Sequence, residues 1–363
     1  MRVIVSGGGT GGHIYPAIAL INQLKERNLL DDVLYVGTKS GLESRIVKDL
    51  NIPFTTVEIQ GFKRKLSLDN IKTVNLFFSS ISKSKKIIKE FKPDIVIGTG
   101  GYVSSAVVYA AHKMKVPTII HEQNSIAGVT NKFLGHFVDK IAISFAEVAT
   151  EFPEKSKLIL TGNPRAQEVI KIKPNERLSE FNLVPHKPTV LIFGGSRGAR
   201  PLNSAVVDSI SSFNEANYQV LFVTGKIHYD NVIKQISAKK NPNVSVVPYV
   251  DEMPEILPDV SLIVGRSGAT SIAEITALGI PAIFIPSPYV THDHQTKNAE
   301  ILEKVGAASV IKESDLTKES LLESINNIMG NAEVYKNMEE ESKELGIPNA
   351  ADLLIDEMLK LVK

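Results

Sequence analysis

The 363-residue chain contains no cysteine. That absence excludes disulfides, thiolate zinc sites, iron–sulfur clusters and a cysteine nucleophile, and it fits a reducing cytoplasm. Net charge is nearly absent as well. Lys and Arg number 41 against 40 Asp and Glu, so a general nucleic-acid binder is not expected. No apolar run approaches the roughly 20 residues that a membrane-spanning helix needs. The start has one arginine and then four residues before the first glycine, which does not read as a signal peptide. Any membrane contact is therefore expected to be peripheral.

What the chain does have is glycine in clusters. Residues 6 to 13 read SGGGTGGH, directly after the apolar run Val3 to Val5. Similar loops stand at 98–102 (GTGGY), 194–199 (GGSRGA) and 265–270 (GRSGAT), each after a strand-like run and before a helix-length stretch. Further strand-like runs are Val33 to Val36, Thr118 to Ile120, Lys140 to Ile143, Val220 to Val223, Val244 to Val247 and Ala282 to Ile285. Helix-length segments include Pro16 to Arg27, Gly41 to Leu50 and Ser267 to Leu278. Strands with little polar alternation predict parallel sheets covered on both faces. The fold class is α/β, with two Rossmann-like, doubly wound parallel-sheet domains. The expected domains are 1–163, 164–345 and a C-terminal helical segment 346–363 that packs back on one of them. The length suits two domains.

The first loop formally matches G-x-G-x-x-G through Gly7, Gly9 and Gly12. A dinucleotide site also needs an acidic residue at the end of the second strand, and Tyr35 to Gly41 has none. A Walker A loop needs Lys and Ser or Thr after its last glycine, where this chain has His13-Ile14. Either way, glycines let a ligand approach the backbone, and helix N-termini favour negative charge. Pro16 suits the first turn of the following helix. Four such loops at strand ends predict a ligand crevice.

Together GGGTGGHIYPA, GTGGYVS, HEQNSIAGVTNKFL, TGNPR, GGSRGARPLN and RSGATSIAEI closely resemble the MurG-type transferases, in order and over essentially the whole chain. The resemblance implies the GT-B architecture, with the two domains facing across a cleft. It also implies inverting transfer of N-acetylglucosamine from UDP-N-acetylglucosamine to the 4-hydroxyl of an undecaprenyl-diphosphate-linked muramyl-pentapeptide, in peptidoglycan synthesis. Such chemistry needs a base, a positive diphosphate site and a grip on both sugars.

By resemblance, Arg165 and Ser196 serve the diphosphate and nucleotide, and Glu274 holds the ribose hydroxyls, with Ala269 and Thr270 in the same segment. Val250 matches a position whose backbone contacts uracil. Thr10, Gly11, Gly12, Asn124 and Gln295 line the donor-sugar site. His294 stands where some members carry a second glutamine. Read without the resemblance, Arg165 is a surface ion pair, Ser196 an N-cap and Glu274 an exposed helical glutamate. His13 closes a glycine loop at a helix start, where the positive end favours the neutral imidazole that a base requires. It is the candidate base, and the other reading is a loop histidine that only bonds backbone. Glu122 is a competing carboxylate that would orient the acceptor. The triplet His292-Asp293-His294 is read as a loop and not a metal site. No cofactor or required metal is expected, because the sugar nucleotide is a substrate.

Residues 63 to 92 carry nine basic side chains against two acids, net +7 in thirty positions. The same stretch holds Leu76, Phe77, Phe78, Ile81, Ile87 and Ile88. Lys72, Phe77, Phe78, Ile81 and Lys85 are the expected contacts with an anionic membrane surface, on the cytoplasmic face of the cell membrane. Ile87 and Ile88 fit better as core. Other wall-synthesis proteins are possible partners, and nucleic acid is not expected. Three alternatives stand beside this reading: a transferase for another acceptor, a UDP-N-acetylglucosamine epimerase of related shape, and a non-enzymatic anchoring protein.

Overall fold

The computed structural model describes residues 1–61, 68–236 and 241–362, with the side chains of residues 68–72 outside that description. The chain divides into two compact units, Met1–Gln167 with Asn349–Lys363, and Glu168–Pro348.

The first unit runs β1 (Arg2–Gly7), α1 (Gly11–Glu26), β2 (Asp32–Gly37), α2 (Glu43–Asp49), β3 (Phe54–Thr56), α3 (Leu68–Phe91), β4 (Ile95–Gly100), α4 (Tyr102–Lys113), β5 (Thr118–Glu122), α5 (Val129–Gly135), β6 (Lys140–Ile143), β7 (Leu158–Leu160) and α6 (Arg165–Val169). Its parallel sheet has the order β3-β2-β1-β4-β5-β6-β7. The order reverses at β1 and β4, so the loops after these two central strands diverge to opposite faces and leave a crevice there. The pairing of β1 with β4 slips between Ser6 and Gly7, from Ser6 opposite Gly98 to Gly7 opposite Gly100. The slip frees Thr99 from the ladder beside the first glycine loop. Both sheet faces are covered, with Val3, Val5, Ile95 and Ile97 in one buried cluster and Ile4, Val96 and Ile120 in another.

The second unit runs β8 (Thr189–Phe193), α7 (Arg200–Asn214), β9 (Gln219–Val223), α8 (Tyr229–Ile236), β10 (Val244–Val247), α9 (Met253–Ile256), β11 (Leu262–Gly265), α10 (Ala269–Leu278), β12 (Ala282–Phe284), α11 (His294–Lys304), β13 (Ala308–Val310), α12 (Lys318–Met329) and α13 (Ala332–Leu345). Its parallel sheet has the order β10-β9-β8-β11-β12-β13. Val190, Ile192, Leu202, Val206, Phe213 and Phe222 are among its buried core.

The last helix, α14 (Ala350–Leu361), belongs to the first unit. Leu354, Ile355 and Met358 are fully buried in one cluster with Ile14, Ile18 and Ile21 of α1. Each such side chain contributes about 1.5–3 kcal/mol of transfer free energy. A polar clamp fixes the helix start: Asp352 accepts from Gln23, Arg27 and Gln167, while its own N–H donates to Gln167 Oε1 at 2.8 Å. The first unit thus runs to Gln167, within α6, where the sequence placed the boundary at 163, and Arg165 lies on the first-unit side.

Ten expected strand runs correspond to strands here, while β3, β7 and β13 are three-residue additions. Pro16 falls inside α1, because the helix starts at Gly11. Along α3, Ile81 is buried with Ile88 in the core, which corrects the expected membrane contact at Ile81. The helix turns Thr73, Phe77, Ser80, Ile81, Ser84 and Ile88 inward at three- and four-residue spacing, and Phe78 and Lys85 outward. Lys63, Arg64, Lys65 and the Lys72 side chain lie outside the described residues.

Candidate active site

The loops after β1, β4, β5 and β7 meet at the carboxyl edge of the first sheet. Gly8 N–H donates to Gly100 O at 3.2 Å, joining the first two loops backbone to backbone. Gly101 has φ +82°, and a Cβ there would collide with Gly8 O. Only glycine lets the loops come this close. Thr99, released from the ladder, donates its hydroxyl to His13 O at 2.7 Å and accepts from Gln123 Nε2 through its carbonyl at 2.8 Å.

His13 is half-buried, and its Nδ1 lies 2.9 Å from Gly8 O and 3.4 Å from Thr10 Oγ1. A carbonyl can only accept, so Nδ1 carries the proton and donates to it. Nε2 is then a bare lone pair, with no hydrogen-bond partner among the described residues. Its ring lies against Gly100, where a Cβ would come within 2.7 Å of Cδ2. Thr10 caps the start of α1 in extended conformation, and Gly11 and Gly12 open that helix.

Glu122 is buried at the end of β5. Its Oε1 accepts from Asn124 N–H at 3.1 Å, and its Oε2 accepts from Gly128 N–H and Asn131 Nδ2, both at 2.9 Å. The carboxylate therefore organises the loop that carries Asn124, with its lone pairs already engaged. Beside it, His121 is fully buried and links two loops. Gln123 Nε2 donates to His121 Nδ1 at 2.9 Å, and His121 Nε2 donates to Gly162 O at 2.9 Å in the TGNPR loop. Burial lowers the His121 pKa to about 4, with the Gly162 hydrogen bond opposing, so the ring is neutral at pH 7. In the same loop Arg165 is buried and its guanidinium lies 5.4 Å from the centre of the Tyr15 ring on α1. Thus Thr10, Gly11, Gly12, His13, Glu122, Asn124 and Arg165 all stand at this one sheet edge, at strand ends, in loops or at the starts of the helices that follow.

The second unit holds the rest at its own carboxyl edge. Ser196 is exposed at the tip of the loop after β8, between Gly195 and Gly198, both at positive φ. Ala269, Thr270 and Glu274 lie on α10, after β11. Thr270 Oγ1 is a buried hydroxyl without a hydrogen-bond partner among the described residues, at the first turn of that helix. Gln295 Oε1 accepts from Ser287 N–H at 2.8 Å, and its carbonyl accepts from Ser267 Oγ at 2.7 Å, which ties α11 to the loop after β11. His292 and Asp293 just before it have φ of +57° and +52°, a costly pair of left-handed residues at a loop end. His294 donates from Nδ1 to Thr291 O at 2.8 Å. Val250 is buried after β10, consistent with a position that would act through its backbone.

Two family models match. The glycosyltransferase family 28 N-terminal domain covers residues 3–143, and the family 28 C-terminal domain covers residues 189–354. The chain belongs to glycosyltransferase family 28. Among relatives, the UDP-N-acetylglucosamine--N-acetylmuramyl-(pentapeptide) pyrophosphoryl-undecaprenol N-acetylglucosamine transferase of Latilactobacillus sakei is 59% identical over 97% of this chain and 98% of its own length. The protein of the same name from Bacillus pumilus is 54% identical, covering 98% of this chain and 97% of its own. The crystal structure of Acinetobacter baumannii MurG superposes with a TM-score of 0.78 at 28% identity, over 99% of both chains. A UDP-GlcNAc 2-epimerase from Methanocaldococcus jannaschii reaches a TM-score of 0.70 at 15% identity, over 99% of this chain and 100% of that one, which shows a shared fold alone. The resemblance to MurG-type transferases drawn from the motifs therefore holds over the whole chain.

Several residues of the first edge carry no sequence signal of their own. Thr99 and Gln123 sit inside quoted motifs, yet their roles arise from a register slip and a turn. Glu43 and Tyr35 lie outside every motif and touch the first loop only in the folded unit.

Proposed function

We propose that the protein transfers N-acetylglucosamine from UDP-N-acetylglucosamine to the 4-hydroxyl of an undecaprenyl-diphosphate-linked N-acetylmuramyl-pentapeptide, with inversion, and that His13 is the base. Relatives named for this transfer, at more than half identity over nearly the full chain, support the reaction. The observation that carries the residue assignment is the His13 tautomer. Nδ1–H is held by Gly8 O, so Nε2 takes the acceptor hydroxyl proton as the oxygen attacks the anomeric carbon and UDP leaves. Glu122 is spent on its own loop and acts as a positioning residue for Asn124. In the first unit Arg165 suits a phosphate oxygen as a planar fork, and in the second Ser196 suits one as an exposed hydroxyl on a glycine loop. Glu274, Ala269 and Thr270 would take the ribose, and the Thr270 hydroxyl, unpartnered among the described residues, suits a ligand oxygen. Thr10, Gly11, Gly12 and Asn124 of the first unit suit a donor sugar, and Gln295 of the second, taken by itself, suits sugar hydroxyls. No metal or cofactor enters this reading.

No helix among the described residues is long and apolar enough to cross a membrane. Peripheral contact with the cytoplasmic face is supported by a feature that extends the basic stretch. Phe77 and Phe78 of α3 join Tyr109, Phe133 and Phe137 of α4 and the α5 region in an aromatic cluster, with Phe133 and Phe137 rings 5.2 Å apart. Phe78 is 64% exposed and Phe133 39% exposed, with Lys85 and Lys132 exposed on the same helices. Apolar rings among lysines suit shallow insertion into an anionic bilayer.

The test is UDP release from UDP-N-acetylglucosamine, with and without a short-chain polyprenyl-diphosphate muramyl-pentapeptide, the product being weighed. Acceptor-dependent release giving a disaccharide supports the reading. Interconversion of the free sugar nucleotide without acceptor would instead place the protein with the epimerases.

A further inference from the structure

Beneath the first glycine loop lies a carboxylate with no ion-pair partner among the described residues. Glu43, the first residue of α2, is fully buried. Oε1 accepts from Thr38 N–H at 2.9 Å and Thr38 Oγ1 at 2.7 Å, and Oε2 accepts from Gly9 N–H at 3.1 Å. Three glycines make its room: a Cβ on Gly8, Gly37 or Gly41 would collide with the Glu43 side chain. Gly9 stands at φ +86°, in the left-handed region that favours glycine, and its N–H meets the carboxylate below the loop.

The Gly8–Gly9 peptide therefore has both ends engaged. Its N–H donates to Glu43, and its C=O accepts from His13 Nδ1 at 2.9 Å. A peptide whose N–H is held by an anion has a more negative carbonyl oxygen, because hydrogen bonds in series polarise one another. We propose that Glu43, the Gly8–Gly9 peptide and His13 form one hydrogen-bonded relay, in which Glu43 is a positioning residue acting on the imidazole through a backbone amide. This rests on the reading of His13 as the base. As Nε2 accepts the hydroxyl proton, the imidazolium that forms is stabilised by the polarised Gly8 carbonyl. Nδ1 keeps its proton throughout. The arrangement does what a directly bonded carboxylate does in a hydrolase triad, with one peptide inserted.

The groups facing this relay are few. Tyr35 on β2 donates its hydroxyl to Gly7 O at 2.8 Å, and burial with Glu43 nearby pushes that phenol up, so it stays neutral. β4 and its loop contribute Thr99 and glycine backbone. Along α1, Tyr15 carries the Arg165 guanidinium over its ring. On α2 and the following strand, Lys48 lies over the Phe54 ring.

The experiment compares wild type, Glu43→Gln and Thr38→Val by pH profiles of kcat and by NMR titration of the His13 ring nitrogens in 15N-histidine-labelled protein. The relay predicts that Glu43→Gln lowers kcat roughly 10- to 100-fold, with KM for donor and acceptor within about twofold. The acidic limb and the His13 titration should both move to lower pH by roughly half a unit or more, because the imidazolium loses its anion. Thr38→Val keeps the charge and loosens its seat, so it should show a smaller shift in the same direction. It decides the matter if Glu43→Gln does not fold. Wild-type limb and titration in a folded Glu43 or Thr38 variant overturn the relay. Should His13→Ala keep full activity, the base assignment falls by itself, while the NMR titration still decides whether Glu43 acts on His13.

Discussion

His121 Nε2 donates to the carbonyl of Gly162 at 2.9 Å, across 41 positions of sequence, and so fixes the TGNPR loop to the end of β5. The ring's other nitrogen, Nδ1, accepts from Gln123 Nε2 at 2.9 Å and so needs a neutral ring, and burial holds the pKa at about 4 against 6.5 for the free side chain. In the unfolded chain the ring takes up a proton between those values, while the folded ring does not. Its contribution is therefore complete above pH 6.5 and is lost as the pH falls toward 4. Stability should drop by about 2 kcal/mol between pH 7 and pH 5 from this group alone. Urea unfolding at the two pH values measures it, and His121→Gln should flatten that part of the dependence.

The His13 assignment predicts that His13→Ala loses roughly 10²–10⁴ of kcat, with donor KM little changed, because a base acts in the transition state. Steady-state kinetics with saturating acceptor reads this directly. A loss confined to KM would make His13 a binding residue instead.

Gly100 supports the ring of His13 without touching the reaction. Gly100→Ala places a methyl 2.7 Å from Cδ2 at φ +110°, so ring and loop must shift. We expect at least tenfold lower kcat and about 1–3 kcal/mol of lost stability. Gly128→Ala is the control, with φ −64° and the nearest atom 3.6 Å from the added methyl, and should be close to silent.

On the aromatic face, Phe78→Asp and Phe133→Asp should weaken sedimentation with anionic vesicles about tenfold or more, with activity on a soluble acceptor analogue retained. Binding by the wild type should fall with added salt. Ile81→Asp, on the buried side of the same helix, should unfold the first unit instead.

Leu354→Ala in α14 should cost about 2–5 kcal/mol, as a fully buried leucine does elsewhere. The loss should be visible in thermal unfolding and in faster proteolysis of the first unit. Equal stability would mean that the helix contributes nothing to that core.

Much of this fold was legible in the chain because parallel strands buried on both faces read as plain apolar runs, and glycine loops punctuate their ends. The three-residue strands β3, β7 and β13 pair through so few residues that no run announces them. Ile81 shows a different limit. It lies in a basic stretch, yet small Ser80 and Ser84 mark the inward side of α3, a pattern that only the packed helix makes clear. Glu43 reads as a charged helix start in GLESR, and nothing local says that Gly8 and Gly37 join its neighbour Gly41 in enclosing it. The aromatic cluster is likewise built from three segments, each contributing rings that are ordinary alone. Names of family motifs located the loops; the hydrogen bonds inside them came from the fold.

Because α14 completes the core around α1, the first unit is not a continuous piece of chain. Gln167 meets Asp352 185 residues later. On the ribosome, at roughly 5–20 residues per second, the sheet-forming part of that unit must wait about ten seconds or more for its final helix. During that interval the face of α1 carrying Ile18 and Ile21 lacks its cover. The nascent protein is then a substrate for holding chaperones, and the second unit, made without interruption, can be folded before the first is finished.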